Sequence, residues 1–314
     1  MNRRGFLRAG ATTLAVGALP VTAWAADAPT VFLDYTQEQL DAAYTQTVWA
    51  PNAKEVIDGY ETGSAAVRRA HPPETFSYGD RPSETLDVFA PANADRLPVM
   101  VFIHGGAWRA LSKLSVSAPA MTFVGNGAIY VAIDFDNLPI NTLPGMADQC
   151  RRALLWVWRN AARFGGDPDR IHVAGHSSGG HLAAVMLTTD WAAFGAPPTL
   201  LKGGMVLSGM CDLYPVLLSV RSSYVKVSGR ERDDLSPIRA MDRVACPVVV
   251  AWGEKESPEF KRQSIQFADA LDASGHLAGR FLLEGRNHFE VPNLLNDPNS
   301  SLSKAALRLM SGKG

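Results

Sequence analysis

The sequence is poor in cysteine, with three in 314 residues, and it has neither zinc-site spacing of cysteine and histidine nor a cofactor-binding motif. Cys211 is predicted just after the carboxyl end of one strand, and Cys246 just before the amino end of the next. In a parallel sheet these positions are a strand length apart, which exceeds the reach of a disulfide. Cys150 falls on the buried face of a predicted helix. We therefore expect three free, packed thiols, no metal and no organic cofactor.

The sequence also lacks an excess of charge of either sign. It has 30 Lys and Arg against 31 Asp and Glu, a net charge of −1 and a pI of about 6.7. The charges are scattered, so neither a nucleic acid nor an anionic membrane is an expected partner. No internal repeat, low-complexity tract or Pro/Ser-rich linker divides the chain. The sequence therefore favours one large domain that acts on a small molecule, and it leaves the oligomeric state open.

The N-terminus carries no long, unbroken apolar run. Arg3-Arg4 is followed by an uncharged stretch over residues 9–26, and Ala23-Trp24-Ala25 offers a small-x-small cleavage site. Two glycines and a proline interrupt the stretch, so we do not expect a stable membrane span. Residues 1–25 are predicted to be a twin-arginine signal peptide, and residues 26–314 a single domain outside the cytoplasm, periplasmic or secreted.

Apolar strands alternate with helical stretches from about residue 85 onward, which is typical of a mostly parallel sheet covered by helices on both faces. The clearest helix is predicted over residues 145–164, where apolar residues recur at helical spacing. Strands are predicted near residues 85–89, 98–103, 128–134, 170–175, 203–208, 247–252 and 280–284.

Two segments interrupt this alternation. Residues 30–75 show short helical patterns, such as Gln37 to Tyr44, and no strand, and residues 209–245 are longer than a crossover requires. Both are predicted to form a small cap at the carboxyl ends of the strands, where ligands bind in such sheets. Candidate pocket-lining aromatic residues in and near these segments are Tyr44, Trp49, Trp108, Tyr214 and Tyr224.

Gly175-His176-Ser177-Ser178-Gly179 lies where an apolar strand ends and an apolar helix begins. A Gly-x-Ser-x-Gly at such a junction forms a sharp turn that exposes the serine hydroxyl above the sheet. The positive end of the helix dipole then lies behind the serine. This context predicts that Ser177 is a nucleophile.

A second glycine motif follows the apolar run Val99–Ile103. In His104-Gly105-Gly106-Ala107-Trp108, adjacent glycines allow backbone N–H groups to turn toward a developing oxyanion. We predict an oxyanion hole formed by the N–H groups of Gly105, Gly106 and Ser178.

An acid and a histidine follow downstream. Glu254 and Glu256 come directly after the predicted strand that ends at Gly253, and His288 lies in the loop after the last strand. Asp212, after an earlier strand, is a third candidate acid. The order serine, acid, histidine is that of α/β-hydrolase triads.

Together, His104–Trp108, Gly175–Leu182 and Asn287-His288-Phe289 resemble the α/β-hydrolase branch of kynurenine formamidase (arylformamidase) and related carboxylesterases. The resemblance runs from about Leu40 to Leu309. It implies that the acid stands three residues after the glycine that ends its strand, which here is Glu256, although aspartate is commoner there. The implied triad is Ser177, Glu256 and His288.

These features predict a serine hydrolase that forms an acyl-enzyme and needs no cofactor. A carboxylic ester and N-formylkynurenine are competing substrates, and transfer of the acyl group to an alcohol is an alternative outcome. The export signal favours the ester, because tryptophan breakdown is cytoplasmic. From another class, a non-catalytic ligand-binding protein on the same fold is the alternative, but such proteins usually lack a triad member.

Overall fold

The computed structural model describes residues 28–312, so the predicted signal peptide lies outside the described residues. In this range a short antiparallel pair, β1 (Thr30–Phe32) with β2 (Tyr35–Thr36), precedes the main sheet. The main sheet has eight strands: β3 (Glu74–Ser77), β4 (Thr85–Phe89), β5 (Leu97–Ile103), β6 (Ile129–Ile133), β7 (Gly166–His176), β8 (Leu201–Leu207), β9 (Val248–Gly253) and β10 (Leu277–Leu283).

The strands lie in the spatial order β10-β9-β8-β7-β5-β6-β4-β3. The six strands from β10 to β6 are mutually parallel, whereas β4 runs antiparallel to β6 and β3 antiparallel to β4. The prediction of a mostly parallel sheet is confirmed.

Both faces of the sheet are covered, as strand β5 illustrates. Val99, Val101 and Ile103 face one hydrophobic core, and the alternate residues Met100 and Phe102 face the other. All five are at most 1% exposed. The helices in the described range are α1 (Gln37–Tyr44), α2 (Ala53–Ala70), α3 (Ala120–Val124), α4 (Leu143–Asn160), α5 (Ser178–Leu187), α6 (Leu213–Leu218), α7 (Gly229–Asp234), α8 (Pro258–Ala273) and α9 (Ser301–Ser311).

Helices α4, α5 and α8 pack in the first core and α3 and α9 in the second. The predicted helix over residues 145–164 corresponds to α4 followed by a 3-10 turn, Ala161–Phe164. Among residues 28–312, no helix combines the length and the apolar character needed to cross a bilayer. Cys150, Cys211 and Cys246 are buried and unpaired, and burial raises the pKa of each thiol.

The prediction that residues 30–75 contain no strand is wrong, because β1, β2 and the start of β3 lie there. The helices of this segment and those of residues 209–245 contact each other. The carbonyl of Tyr44 on α1 accepts hydrogen bonds from Arg221 in the second segment. The Tyr44 hydroxyl also donates to Glu259 Oε1 at 3.0 Å, on α8 outside both segments. Both segments line one cavity beside Ser177, as predicted for a cap.

Candidate active site

Ser177 occupies the turn between β7 and α5. Its backbone has φ 57° and ψ −122°, a conformation that is strained for a residue with a side chain. The turn is tight, because a Cβ on Gly175 would lie 2.1 Å from the carbonyl oxygen of Gly179. Every residue of α5 is buried. The sequence motif therefore folds as the predicted elbow, with the helix N-terminus behind the serine.

The structure brings Ser177, His288 and Glu256 together in one line of contacts. His288 Nε2 lies 2.9 Å from Ser177 Oγ, and His288 Nδ1 lies 3.2 Å from Glu256 Oε2. One tautomer satisfies both contacts: the serine hydroxyl donates to Nε2, and Nδ1–H donates to the carboxylate. The three side chains are buried, with Glu256 deepest at 1% exposed. This geometry suits transfer of the serine proton to the imidazole.

The three candidate acids have different partners. Glu256 Oε1 accepts hydrogen bonds from Ser208 Oγ at 2.5 Å and from the Gly253 N–H at 2.8 Å, which aims its other oxygen at His288. Glu254 is exposed and accepts from the Gly285 N–H at 2.8 Å. Asp212 caps α6 by accepting from the Tyr214 N–H. Glu256 is therefore the candidate acid that contacts the histidine.

Helix α2 holds the loop that carries His288. The Tyr60 hydroxyl donates a hydrogen bond to the Phe289 carbonyl. Asn52 Nδ2 donates to Glu290 Oε1 at 3.0 Å, and the Asn287 side chain donates to Asn52 Oδ1 at 2.7 Å. The Asn287 N–H completes the ring by donating to Glu290 Oε2. The N-terminal cap thus fixes the histidine loop as well as lining the cavity.

His176, one residue before the nucleophile, supports His288 directly. Its Nε2–H donates to the His288 carbonyl at 2.9 Å, and the two ring centroids are 4.6 Å apart. Burial holds the pKa of His176 well below its usual range, and the charge of nearby His288 is a second, smaller cause. A neutral His176 can therefore brace the histidine without adding a second positive charge.

The residues predicted to form the oxyanion hole are placed differently from one another. Gly106, at φ +103°, lines the cavity beside Ser177, and so does Ala107, which also has a positive φ of 56°. Gly105 does not line that cavity. It packs behind the elbow, where an added Cβ would lie 2.7 Å from the His176 carbonyl oxygen. Ser178 occupies the first turn of α5. Ala107 was missed because its residue type carries no sign of its left-handed backbone.

The prediction that Trp108 lines the pocket is wrong. Its side chain is 1% exposed, and its indole N–H donates to His181 Nδ1 at 3.3 Å. His181 Nε2–H in turn donates to the Leu235 carbonyl at 2.8 Å, and burial lowers the pKa of His181 to about 4. Trp108 therefore joins the His-Gly-Gly-x-Trp loop to the nucleophile helix from beneath the site.

The cavity in front of Ser177 has a volume of about 370 Å³. Tyr44 and Tyr224 line it, as predicted. Trp49 and Tyr214 do not. Trp49 lines a separate depression and donates its indole N–H to the Ala42 carbonyl, while Tyr214 is 42% exposed and packs edge-on against Phe32. The full lining is Tyr44, Thr45, Gln46, Thr47, Ile57, Tyr60, Gly106, Ala107, Ala110, Leu111, His176, Ser177, Val220, Arg221, Tyr224, His288 and Phe289.

Comparison with known proteins shows that the chain is similar to hydrolases. The BD-FAE family matches residues 86–195. Kynurenine formamidase of Danio rerio is 29% identical over 288 residues, covering 88% of this chain and 97% of the relative. Carboxylesterase NlhH of Mycobacterium tuberculosis is 37% identical over 172 residues, covering 50% of this chain and 53% of the relative. A solved structure from Silicibacter sp. superposes with a TM-score of 0.76 at 26% identity, covering 87% and 99% of the two chains.

The chain has the α/β-hydrolase fold. The resemblance to the formamidase and carboxylesterase branch is confirmed. The region that matches the BD-FAE family contains both glycine motifs but ends before Glu256 and His288. The assignment of those two residues to the site therefore rests on the contact of His288 with Ser177 and of Glu256 with His288. Across the described range, no group of three Asp, Glu, His or Cys side chains could hold a metal ion.

Proposed function

We propose that this α/β-hydrolase cleaves carboxylic esters by way of an acyl-enzyme. Ser177 attacks the carbonyl carbon, while His288 takes the serine proton and later gives it to the leaving alcohol. Glu256 orients the imidazole and stabilises its charged form. Water then attacks the acyl-enzyme with His288 as the base, which releases the acid. The observation that carries this proposal is the continuous line of contacts from Ser177 Oγ to Glu256 Oε2.

Backbone N–H groups near Ser177 would hold the oxyanion of the tetrahedral intermediate. Gly106 and Ala107 border the cavity, and Ser178 follows the nucleophile at the start of α5. We assign the donors to these three residues and not to Gly105, which packs behind the elbow. One such donor typically lowers the barrier by about 3 kcal/mol, because it meets charge that develops only in the transition state.

Formamide hydrolysis is the second candidate. A kynurenine formamidase aligns over nearly its whole length with this chain, whereas the carboxylesterase aligns over about half. The same nucleophile, base and oxyanion donors would serve an N-formyl group. The third candidate, a ligand-binding protein without activity, is disfavoured because Ser177, Glu256 and His288 are all present and in contact.

A substrate comparison separates the two reactions. We expect kcat/KM on short p-nitrophenyl esters to exceed that on N-formylkynurenine, measured side by side on the chain that starts near Ala26. If formylkynurenine wins by more than about tenfold, which is about 1.4 kcal/mol in transition-state binding, formamide hydrolysis replaces ester hydrolysis as the function. No turnover of either class would favour the binding protein.

We also propose that the enzyme is exported in folded form. Arg3-Arg4 and the uncharged stretch after them support this. Replacing both arginines by lysine should leave the protein in the cytoplasm as an uncleaved precursor, detected by cell fractionation and intact mass. Cleavage and export of the Arg3→Lys, Arg4→Lys variant by the same route as the native chain would contradict the proposal. The matched control replaces Arg8, outside the pair, by lysine.

A further inference from the structure

Arg221 is a buried cation in the wall of the active-site cavity. It follows Val220 in a 3-10 turn of the second cap segment and is 6% exposed. The carbon at the centre of its guanidinium lies 5.6–5.8 Å from the ring centroids of Tyr44, Trp108 and Phe260. The aromatic rings offset part of the cost of burying the charge.

The guanidinium has no carboxylate partner. Nε and Nη2 both donate to the Tyr44 carbonyl, at 3.1 and 3.0 Å, and Nη1 contacts Met210 Sδ at 3.6 Å. These contacts use three of the five N–H groups of arginine, which leaves two without a protein acceptor among residues 28–312. None of the ion pairs in that range includes Arg221. The carboxylate of Glu259, which accepts from the Tyr44 hydroxyl, is bound by Arg262 at 2.6 and 2.7 Å.

An unpaired buried charge is costly, and proteins usually pair it or use it. Burial lowers the pKa of Arg221, which reflects that cost, yet arginine stays charged at any physiological pH. In the described part of the chain, no Asp, Glu or Lys lines the cavity, and its walls beyond Arg221 are mostly aromatic, aliphatic or uncharged polar side chains. Arg221 therefore borders a space in which a ligand can supply the missing anion.

We propose that Arg221 binds a carboxylate of the substrate, so that the natural substrates are esters or acyl amides that carry a carboxylate on the acyl part or on the leaving group. Ser177 and Arg221 border the same cavity, so one molecule can reach both. Arg221 is then a specificity-determining residue, whose hydrogen bonds to the anion hold the scissile carbonyl at Ser177. This inference rests on the proposed hydrolytic function.

Arg221 also joins the two cap segments, since it donates to the carbonyl of Tyr44 on α1. A purely structural arginine would stabilise the cap without distinguishing an anionic substrate from a neutral one. The test must therefore compare substrates that differ only in the charged group.

The experiment uses two matched pairs. The acyl pair is the mono-p-nitrophenyl ester of glutaric acid and the same ester with an amide in place of the free carboxylate. The leaving-group pair is 4-acetoxybenzoate and 4-acetoxybenzamide. We expect wild-type kcat/KM to favour the acid by about tenfold or more in one pair, which identifies the side of the scissile bond that carries the anion. Preference for the amide in both pairs would overturn the proposal.

Variants separate specificity from structure. Arg221→Met should lower kcat/KM on the favoured acid, mainly through KM, by about tenfold or more beyond any loss of kcat/KM on the matched amide. Arg221→Lys, which keeps the charge, should retain part of the preference. Arg230→Met is the matched control, because that arginine lies in the same cap segment with its side chain 91% exposed, and it should change neither substrate. Equal losses on acid and amide in both Arg221 variants would show a structural role only.

Binding measurements keep this test separate from the hydrolytic proposal. In Ser177→Ala, 4-hydroxybenzoate and glutarate should bind more tightly by calorimetry than the corresponding amides, and Arg221→Lys in that background should reduce the difference. If the wild type turns over no substrate but the acids still bind preferentially, the hydrolytic proposal fails and the anion site stands. If hydrolysis depends on Ser177 but acids and amides bind equally, only the anion site fails.

Discussion

Replacement of Ser177 by alanine is expected to lower kcat on p-nitrophenyl esters by about four to six orders of magnitude, with the fold intact. The hydroxyl is the group that His288 Nε2 contacts at 2.9 Å, so its loss removes the covalent route altogether. The residual rate should come from the oxyanion donors and substrate binding alone. Purified variant and wild type are compared by initial rates and by thermal unfolding.

A serine-directed phosphonate gives an independent measurement of the same assignment. It should add one label to the wild type, at Ser177 by peptide mapping, and none to Ser177→Ala. Ser264→Ala is a matched control: that serine is also buried, on α8, and its hydroxyl has no hydrogen-bond partner among residues 28–312. It should keep wild-type activity. A fully active Ser177→Ala, or a label on another residue, would move the nucleophile elsewhere.

The sheet could be predicted from sequence wherever its strands are buried on both faces. Strand β5 shows why: every residue from Pro98 to Ile103 is buried, so the strand is a continuous apolar run in the sequence. Strand β3 carries no such run, because its residues Glu74–Ser77 are mostly exposed at the sheet edge. Its identity depends on antiparallel pairing with the next strand, β4, which the residues of β3 alone do not reveal.

The candidate site could be predicted in part for a similar reason. Ser177 and His288 are fixed by turns at the ends of strands, so motif and chain order are enough to find them. Residue pattern alone left Glu254 and Asp212 beside Glu256, and the family resemblance favoured Glu256; the structure places Glu256, and not Glu254, against the histidine. Both glutamates follow the same strand and differ by two positions.

The cap was the least predictable part of the site. Aromatic residue type alone does not distinguish a ligand-facing ring such as Tyr224 from the packing ring of Trp108. Arg221 was missed for the opposite reason: an arginine flanked by Val220 and Ser222 is ordinarily solvated. Here it packs against Tyr44, Trp108 and Phe260, which come from other elements of the fold. Both outcomes depend on contacts between segments far apart in the chain.

Glu256→Gln is expected to reduce kcat by about four orders of magnitude with little change in KM. The amide would keep the hydrogen bonds from Ser208 and Gly253 but could not hold the imidazole in the Nδ1–H tautomer or stabilise its charge. Glu254→Gln and Asp212→Asn are controls that should stay within about threefold of wild type, because those acids contact backbone N–H groups away from His288.

Ser208→Ala provides a graded version of the same test. It removes one of the two hydrogen bonds to Glu256 Oε1 and leaves the other, from Gly253. Loss of that bond should lower kcat by about tenfold, in line with about 1.5 kcal/mol for a hydrogen bond to a charged group. The loss of kcat should therefore increase from Glu254→Gln through Ser208→Ala to Glu256→Gln in steady-state assays on one ester. If Glu254→Gln or Asp212→Asn lowers kcat the most, that acid orients His288 during turnover, and the contact of Glu256 with His288 is structural.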